Sequence, residues 1–415
     1  MNKLLGMLTK KKDELPRFIS VVLDQGLMSV ITLLTTIILV RTYNQYDYAE
    51  LVLLFSIALF VLGFQSAIIS KPYAISLNDF SLNEDKGYFH FNLFLKFVFT
   101  FLLCFVFPLF YYFSFEKWNI KKFAFFLIYL IAHSSYFFVR ETLLSERKTK
   151  QNLIYGLFCF IGLAVLLALI YFLKLREITF FLGAASFIYL AITVVYLVSE
   201  ISKHTVVWKQ YINYWNVNWK IGKWLLGGNF LFHLSSNIYP WFLLYLSTKD
   251  NIAVFAVLMS VAGLINPILT ALSSYLLPIF VRTNDNFKKV RALTKRWQIV
   301  FGIMALALVI IGTVLGQNII SLLYGEKYNN LGLLIIYPFI YQAINIIFQP
   351  NKIALNAVKR TDVGFFILIP RSIIAVVLGY FLIKNYGLHG VFYTMIIENF
   401  IYQCIYYFIY RRIFA

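Results

Sequence analysis

The chain alternates long apolar runs with short polar connections, and the runs recur at one length. A helix needs about 20 mostly apolar residues to cross the hydrocarbon layer of a bilayer. Twelve stretches fit that ruler: 18–40, 49–70, 91–113, 123–139, 153–173 and 179–199, then 224–246, 252–281, 297–316, 331–350, 363–383 and 388–410. The fourth is short and is expected to extend into Arg140 and Glu141. The pattern predicts an all-α polytopic membrane protein of about twelve transmembrane helices.

The polar connections organise these spans. The longest lies between the sixth and seventh and divides the chain into an N-terminal six-helix lobe (1–200), a cytoplasmic linker (201–223) and a C-terminal six-helix lobe (224–415). Both halves start on the same side, so a repeat between them is parallel, about an axis along the membrane normal. Ala49, Leu54, Ser56 and Ala58 of the second span echo as Ala253, Leu258, Ser260 and Ala262 of the eighth, at constant offset. The loops on the far side are short, 317–330 being the longest. They leave no room for the ordered extracytoplasmic segment that a membrane glycan polymerase or glycosyltransferase uses for catalysis.

Composition agrees. Hydrophobic residues are 61% of the 415 and charged residues 13%, against about 45–50% and 25% in soluble domains. The net charge of +19 does not point to nucleic acid, because the basic residues sit in loops between apolar runs rather than on one patch. Of the 37 Lys and Arg residues, 26 fall on the side of the N-terminus, nine on the other, and Lys96 and Arg371 within spans. The positive-inside rule then places both termini in the cytoplasm. The apolar run after the basic N-terminal segment is too long for a signal-peptide core and is expected to stay as an anchor. Cys104, Cys159 and Cys404 lie inside apolar runs without metal-ligand spacing, so neither a disulfide framework nor a zinc site is expected. With no phosphate-binding loop, metal-ligand pair or nucleophile motif, the chain reads as a non-enzyme that needs no cofactor.

Polar groups inside the spans are the candidate site, since a charge at mid-helix costs about 2.5–3.5 kcal/mol on insertion scales. Asp24 lies about two turns into the first span. Gln25, Ser29, Thr32 and Thr36 share one face beside it, which suits a water-lined cavity or, alternatively, a seam with Asp24 salt-bridged to a basic neighbour. Asn229, His233 and Asn237 follow at four-residue steps before Pro240 in the seventh span, as cavity lining or as interhelical hydrogen-bond donors and acceptors. Asn266-Pro267 in the eighth marks a hinge or seam. Gln342, Asn345 and Gln349 line one side of the tenth. Lys96 is near enough to its span's end to snorkel. Arg371 is deeper; its planar fork matches phosphate, while Glu398 in the last span offers it a structural partner.

Several segments resemble polysaccharide flippases of the Wzx type, within the multidrug/oligosaccharidyl-lipid/polysaccharide (MOP) exporter superfamily. They are Leu39-Val40-Arg41 with Tyr46-Asp47-Tyr48, Ile221-Gly222-Lys223-Trp224, Leu322-Leu323-Tyr324-Gly325-Glu326-Lys327-Tyr328, Ala354-Leu355-Asn356-Ala357-Val358-Lys359-Arg360 and Asn385-Tyr386-Gly387-Leu388-His389-Gly390. Ala49 departs from the glycine often found there. The resemblance implies two six-helix lobes across a central cavity, working by alternating access in a bacterial cytoplasmic membrane. It implies an undecaprenyl-pyrophosphate-linked oligosaccharide as substrate, for O-antigen or capsule assembly beside other polysaccharide-assembly proteins. In that scheme Arg371, Asn229, His233, Asn237 and Gln25 contact substrate, while Asp24 and Glu398 serve coupling to a proton or sodium gradient. The rival readings are a drug/cation antiporter of the same superfamily, which prefers acidic cavity walls, and a non-transporting scaffold.

Overall fold

The computed structural model describes residues 2–77, 82–114, 119–201, 208–283, 286–358 and 362–414; Lys359 and Arg360 lie outside the described residues, as do 202–207 of the expected linker. The described residues are almost entirely helical: α1 (Asn2–Thr42), α2 (Gln45–Gln65), α3 (Lys71–Ser76), α4 (Leu82–Ser114), α5 (Ile120–Ser145), α6 (Thr149–Leu173), α7 (Ile178–Ile201), α8 (Tyr211–Ser236), α9 (Tyr239–Leu246), α10 (Lys249–Ala262), α11 (Asn266–Thr283), α12 (Phe287–Tyr324), α13 (Ile336–Ile347), α14 (Gln349–Ala357) and α15 (Asp362–Phe414). A π-helical turn, Ser66–Ser70, joins α2 to α3.

Ten stretches among the described residues are long and apolar enough to cross a membrane. One of them, Val363–Phe414, holds both of the last two expected spans. Gly387 (φ 53°, ψ −127°) interrupts it, a left-handed φ that glycine adopts without the Cβ penalty. Arg371 and Glu398 prove the reversal. Twenty-seven residues of straight helix cover ~40 Å, yet these side chains are 3.2 Å apart. The seventh span differs from expectation, because α8 and α9 are separate helices divided at Asn237–Ile238, just before Pro240. The eighth breaks as its Asn-Pro pair implied, through a tight turn at Gly263–Ile265. The loop expected at 317–330 shrinks, since α12 runs on to Tyr324.

The chain divides into two compact units, Met1–Thr42 with Leu54–Asn229, and Tyr43–Leu53 with Phe230–Ala415. In unit 1, α1 packs on α6 and α5 on α7. Residues 211–223, expected as linker, are the first turns of α8. Asn218 fastens them: it accepts from the Tyr88 hydroxyl (2.5 Å) and donates to Asn92 Oδ1 (2.9 Å) and the Ile68 carbonyl (3.2 Å). A buried amide with three partners, two of them on α4, makes this segment part of the bundle.

In unit 2, α12 packs on α13 and α11 on α14, while α15 packs on α9 and α13. Its core gathers Leu276, Phe280, Phe301, Ile346, Ile353 and Leu355. The echoing positions have matching environments: Ala49, Leu54 and Ala58 are buried on α2, as are Ala253, Leu258 and Ala262 on α10. Two of the motif segments meet in this unit. Asn44 caps α2, accepting from the Asp47 amide at 2.7 Å. Lys327 donates to the Tyr43 carbonyl at 2.9 Å, and Lys249 lies 3.9 Å from the centre of the Tyr46 ring. Lys327→Ala is expected to cost about 1 kcal/mol, the net value of one such bond, read as a small fall in melting temperature of the detergent-purified protein.

Candidate functional site

Each unit buries an arginine–carboxylate pair in its helices and sets one further lysine in an apolar run; Glu50 of α2 and Glu200 of α7 are buried as well, Glu200 3.4 Å from Lys148. In unit 1 the carboxylate is Asp24 of α1, fully buried. Its Oδ2 accepts from Arg140 Nη2 of α5. Gly156 of α6 faces it; a side chain there would strike Asp24 Oδ1, so glycine makes room for the pair. Asp24 Oδ1 and Arg140 Nε are buried without hydrogen-bond partners, as are both polar atoms of the Asn152 side chain. Asn152 precedes Gly156 by one turn on the same face of α6. Buried polar groups are normally satisfied, which sets this cluster apart from the packed core around it. Tyr136 and Tyr155 stack nearby at 4.8 Å, and Tyr155 hydrogen-bonds Thr193 at 3.0 Å.

The additional cation of unit 1 is Lys96 of α4. Only 3% exposed, it does not snorkel as expected but donates to Ser134 Oγ of α5 at 2.6 Å. Among the described residues no carboxylate pairs with it.

In unit 2 the pair is Arg371 with Glu398, 3.2 Å apart on the two arms of α15, with side chains 8% and 0% exposed. Arg371 Nη2 also donates to the Tyr341 hydroxyl at 3.4 Å. Its guanidinium lies 4.9 Å from the Tyr402 ring centre, and Lys352 of α14 lies 5.1 Å from the same ring. Two cations thus share one aromatic ring, an arrangement favoured by the ring quadrupole and opposed by their mutual repulsion. Lys352 has no carboxylate partner among the described residues. Arg371 Nε and Glu398 Oε2 are buried without hydrogen-bond partners.

The remaining expected residues are distributed. Gln25 is exposed on α1, and Ser29, Thr32 and Thr36 return their hydroxyls to carbonyls four residues back. Asn229 belongs to unit 1 and packs on Gly63 of α2. His233 and Asn237 belong to unit 2 and bond each other at 2.7 Å. The row of the tenth span serves as interhelical fastening: Gln342 to Asn266 (3.2 Å), Gln349 to Ser273 (2.8 Å), and Asn345 accepting from Gln403 (2.8 Å). Arg140 and Lys352 stand near the ends of apolar runs, where a charge reads as a loop residue, and Lys96 lies close enough to a span's end to read as snorkelling.

Helices long and apolar enough to cross a bilayer, grouped in two units that each bury an arginine–carboxylate pair, define a multi-pass α-helical membrane protein. The chain is similar in structure to an inward-facing multidrug resistance MATE family transporter of the MOP superfamily, with TM-score 0.68 and 13% identity over 95% of this chain and 98% of that one. It is similar to the lipid II flippase MurJ, with TM-score 0.66 and 14% identity over 94% and 86%. It is similar also to the Vibrio cholerae MATE transporter VcmN in its bent form, with TM-score 0.59 and 14% identity over 96% of each chain. These likenesses establish the fold, that of MOP-superfamily transporters. No protein-family model matches the chain, and no curated protein matches it in sequence.

Proposed function

We propose that this chain is a flippase that moves undecaprenyl-pyrophosphate-linked oligosaccharide units across a bacterial cytoplasmic membrane by alternating access, for O-antigen or capsule assembly, with both termini cytoplasmic. The observation that carries this reading is the presence, in apolar helices, of two amines outside any ion pair among the described residues. Asp24 and Glu398 are each neutralised by an arginine, while Lys96 and Lys352 have no carboxylate partner among the described residues. An amine without a counter-ion in an apolar surround attracts a pyrophosphate and repels a cationic drug. Lipid II, named in the MurJ structure, is a lipid-linked substrate too. The membrane potential favours the same direction, since an anion leaving a negative cytoplasm gains about 2.3 kcal/mol per charge per 100 mV. Asp24 and Glu398 are the groups at which a proton or sodium ion would compete with arginine and reset the carrier.

The fold likeness to MATE transporters keeps a drug/cation antiporter as the second reading, and one experiment separates the two. In proteoliposomes, Lys96→Met and Lys352→Met are each expected to fold and to slow translocation of a fluorescent lipid-linked oligosaccharide about tenfold. The slowing corresponds to one lost phosphate contact of ~1.4 kcal/mol. Unchanged flipping in both variants, together with efflux of a cationic dye by the wild type, overturns the flippase reading.

A further inference from the structure

A basic recess opens where the start of α12 meets the end of α15. Arg291 and Lys295, one turn apart on α12, line a cavity of about 310 Å³ together with Gln298, Tyr407, Tyr410 and Arg411. All three cations are exposed, and among the described residues no carboxylate lies within 4.0 Å of any of them. Arg411 lies 5.9 Å from the Tyr407 ring centre. Gln298 spends its amide on Asn351 Oδ1 at 2.6 Å, and Phe414 closes the back of the recess against Tyr410, ring centres 4.9 Å apart. Like charges gathered on one small cavity repel unless an anion sits among them.

Its depth identifies the kind of anion. The basic opening of α12 gives way to an apolar run at Trp297, and the apolar run of α15 ends at Tyr410 before Arg411-Arg412. Tryptophan and tyrosine beside basic residues mark the level of lipid headgroups. An apolar track leads away from the recess along α12: Ile299, Ile303 and Leu306 follow Lys295 at four, eight and eleven residues, one helical face. They are 60%, 64% and 63% exposed. A free phosphate has no use for such a track, whereas an acyl chain does.

We propose that this recess binds the headgroup of an anionic phospholipid, its phosphodiester held by Arg291, Lys295 and Arg411 and one acyl chain lying along Ile299, Ile303 and Leu306. The inference needs only that the chain spans a bilayer, and it is independent of the cargo proposed above. The test is native mass spectrometry of the full-length detergent-purified protein. Titrations use dioleoylphosphatidylglycerol, dioleoylphosphatidylcholine and soluble glycerol 3-phosphate. The wild type is expected to retain phosphatidylglycerol far more tightly than the other two. Replacing the three cations together (Arg291→Gln, Lys295→Gln, Arg411→Gln) is expected to weaken that retention about 100-fold, equivalent to ~3 kcal/mol. A control that removes the same charge outside the recess (Lys288→Gln, Lys289→Gln, Arg412→Gln) is expected to weaken it less than threefold. Equal retention of phosphatidylcholine, equally tight glycerol 3-phosphate, or an equal loss in the control overturns the proposal. The comparison of the three ligands on the wild type decides the matter even where the triple variant does not fold.

Discussion

On the proposed flippase function, Arg371→Ala is expected to abolish glycan export and to lower stability by about 3–5 kcal/mol, the cost of leaving one member of a buried ion pair alone. Glu398 is the group left behind. It is fully buried, its Oε2 already lacks a partner, and Arg371 Nη2 supplies the hydrogen bond to Oε1. The melting temperature of the purified variant and its export in a deletion strain report the two losses separately. Their separation is sharpened by a double replacement, Arg371→Met with Glu398→Met, which substitutes apolar groups of similar volume for both charges. Such exchanges are often neutral or stabilising, so the double variant is expected to melt near the wild type and still not export. Full export by Arg371→Ala, with Asp24→Asn equally silent, would remove both ion pairs from the mechanism.

Gly390→Val is expected to prevent accumulation of folded protein altogether. A Cβ at this position would fall on the Leu382 carbonyl and the Ile383 amide nitrogen, backbone atoms that cannot move aside as a side-chain tip would. Gly387, three residues earlier, holds the left-handed turn that lets the second arm of α15 fold back. Gly390 then lets that arm lie against the first. Forcing them apart disturbs the Arg371–Glu398 contact and the bond from Asn399 to the Tyr341 carbonyl (3.0 Å), well beyond the 1–3 kcal/mol of ordinary overpacking. Size-exclusion profiles of a fluorescent fusion check this; a monodisperse, wild-type-like peak for Gly390→Val contradicts the geometry.

The helical architecture was legible because lipid imposes a length that sequence displays directly, and Asp24 and Arg371 were legible because charges inside such runs are rare. What escaped was pairing. Arg140 stands 116 residues from Asp24, and nothing local in either segment announces the other. Lys96 looked free to reach water, yet Ser134 one helix away holds it inside the bundle. Helix ends were misjudged wherever a helix outruns the hydrocarbon. Leu322, Leu323 and Tyr324 read as loop but continue α12, and Asn218, polar and apparently linker, is fully buried between helices. Hydropathy marks where lipid begins and ends; it is silent on where backbone hydrogen bonding stops.

The reversal at Gly387 also sets an order of events during synthesis. Arg371 and Glu398 emerge 27 residues apart on one hairpin, about 1–5 s at ordinary translation rates, so each can shield the other as the hairpin partitions into lipid. Asp24 has no such companion. Arg140 leaves the ribosome 116 residues later, about 6–23 s behind, and until it arrives the first helix holds a carboxylate whose residence in hydrocarbon costs about 2.5–3.5 kcal/mol. Pairing in the N-terminal bundle therefore waits until α5 delivers the counter-ion, whereas the Arg371–Glu398 pair is complete as soon as the second arm of its own hairpin follows the first.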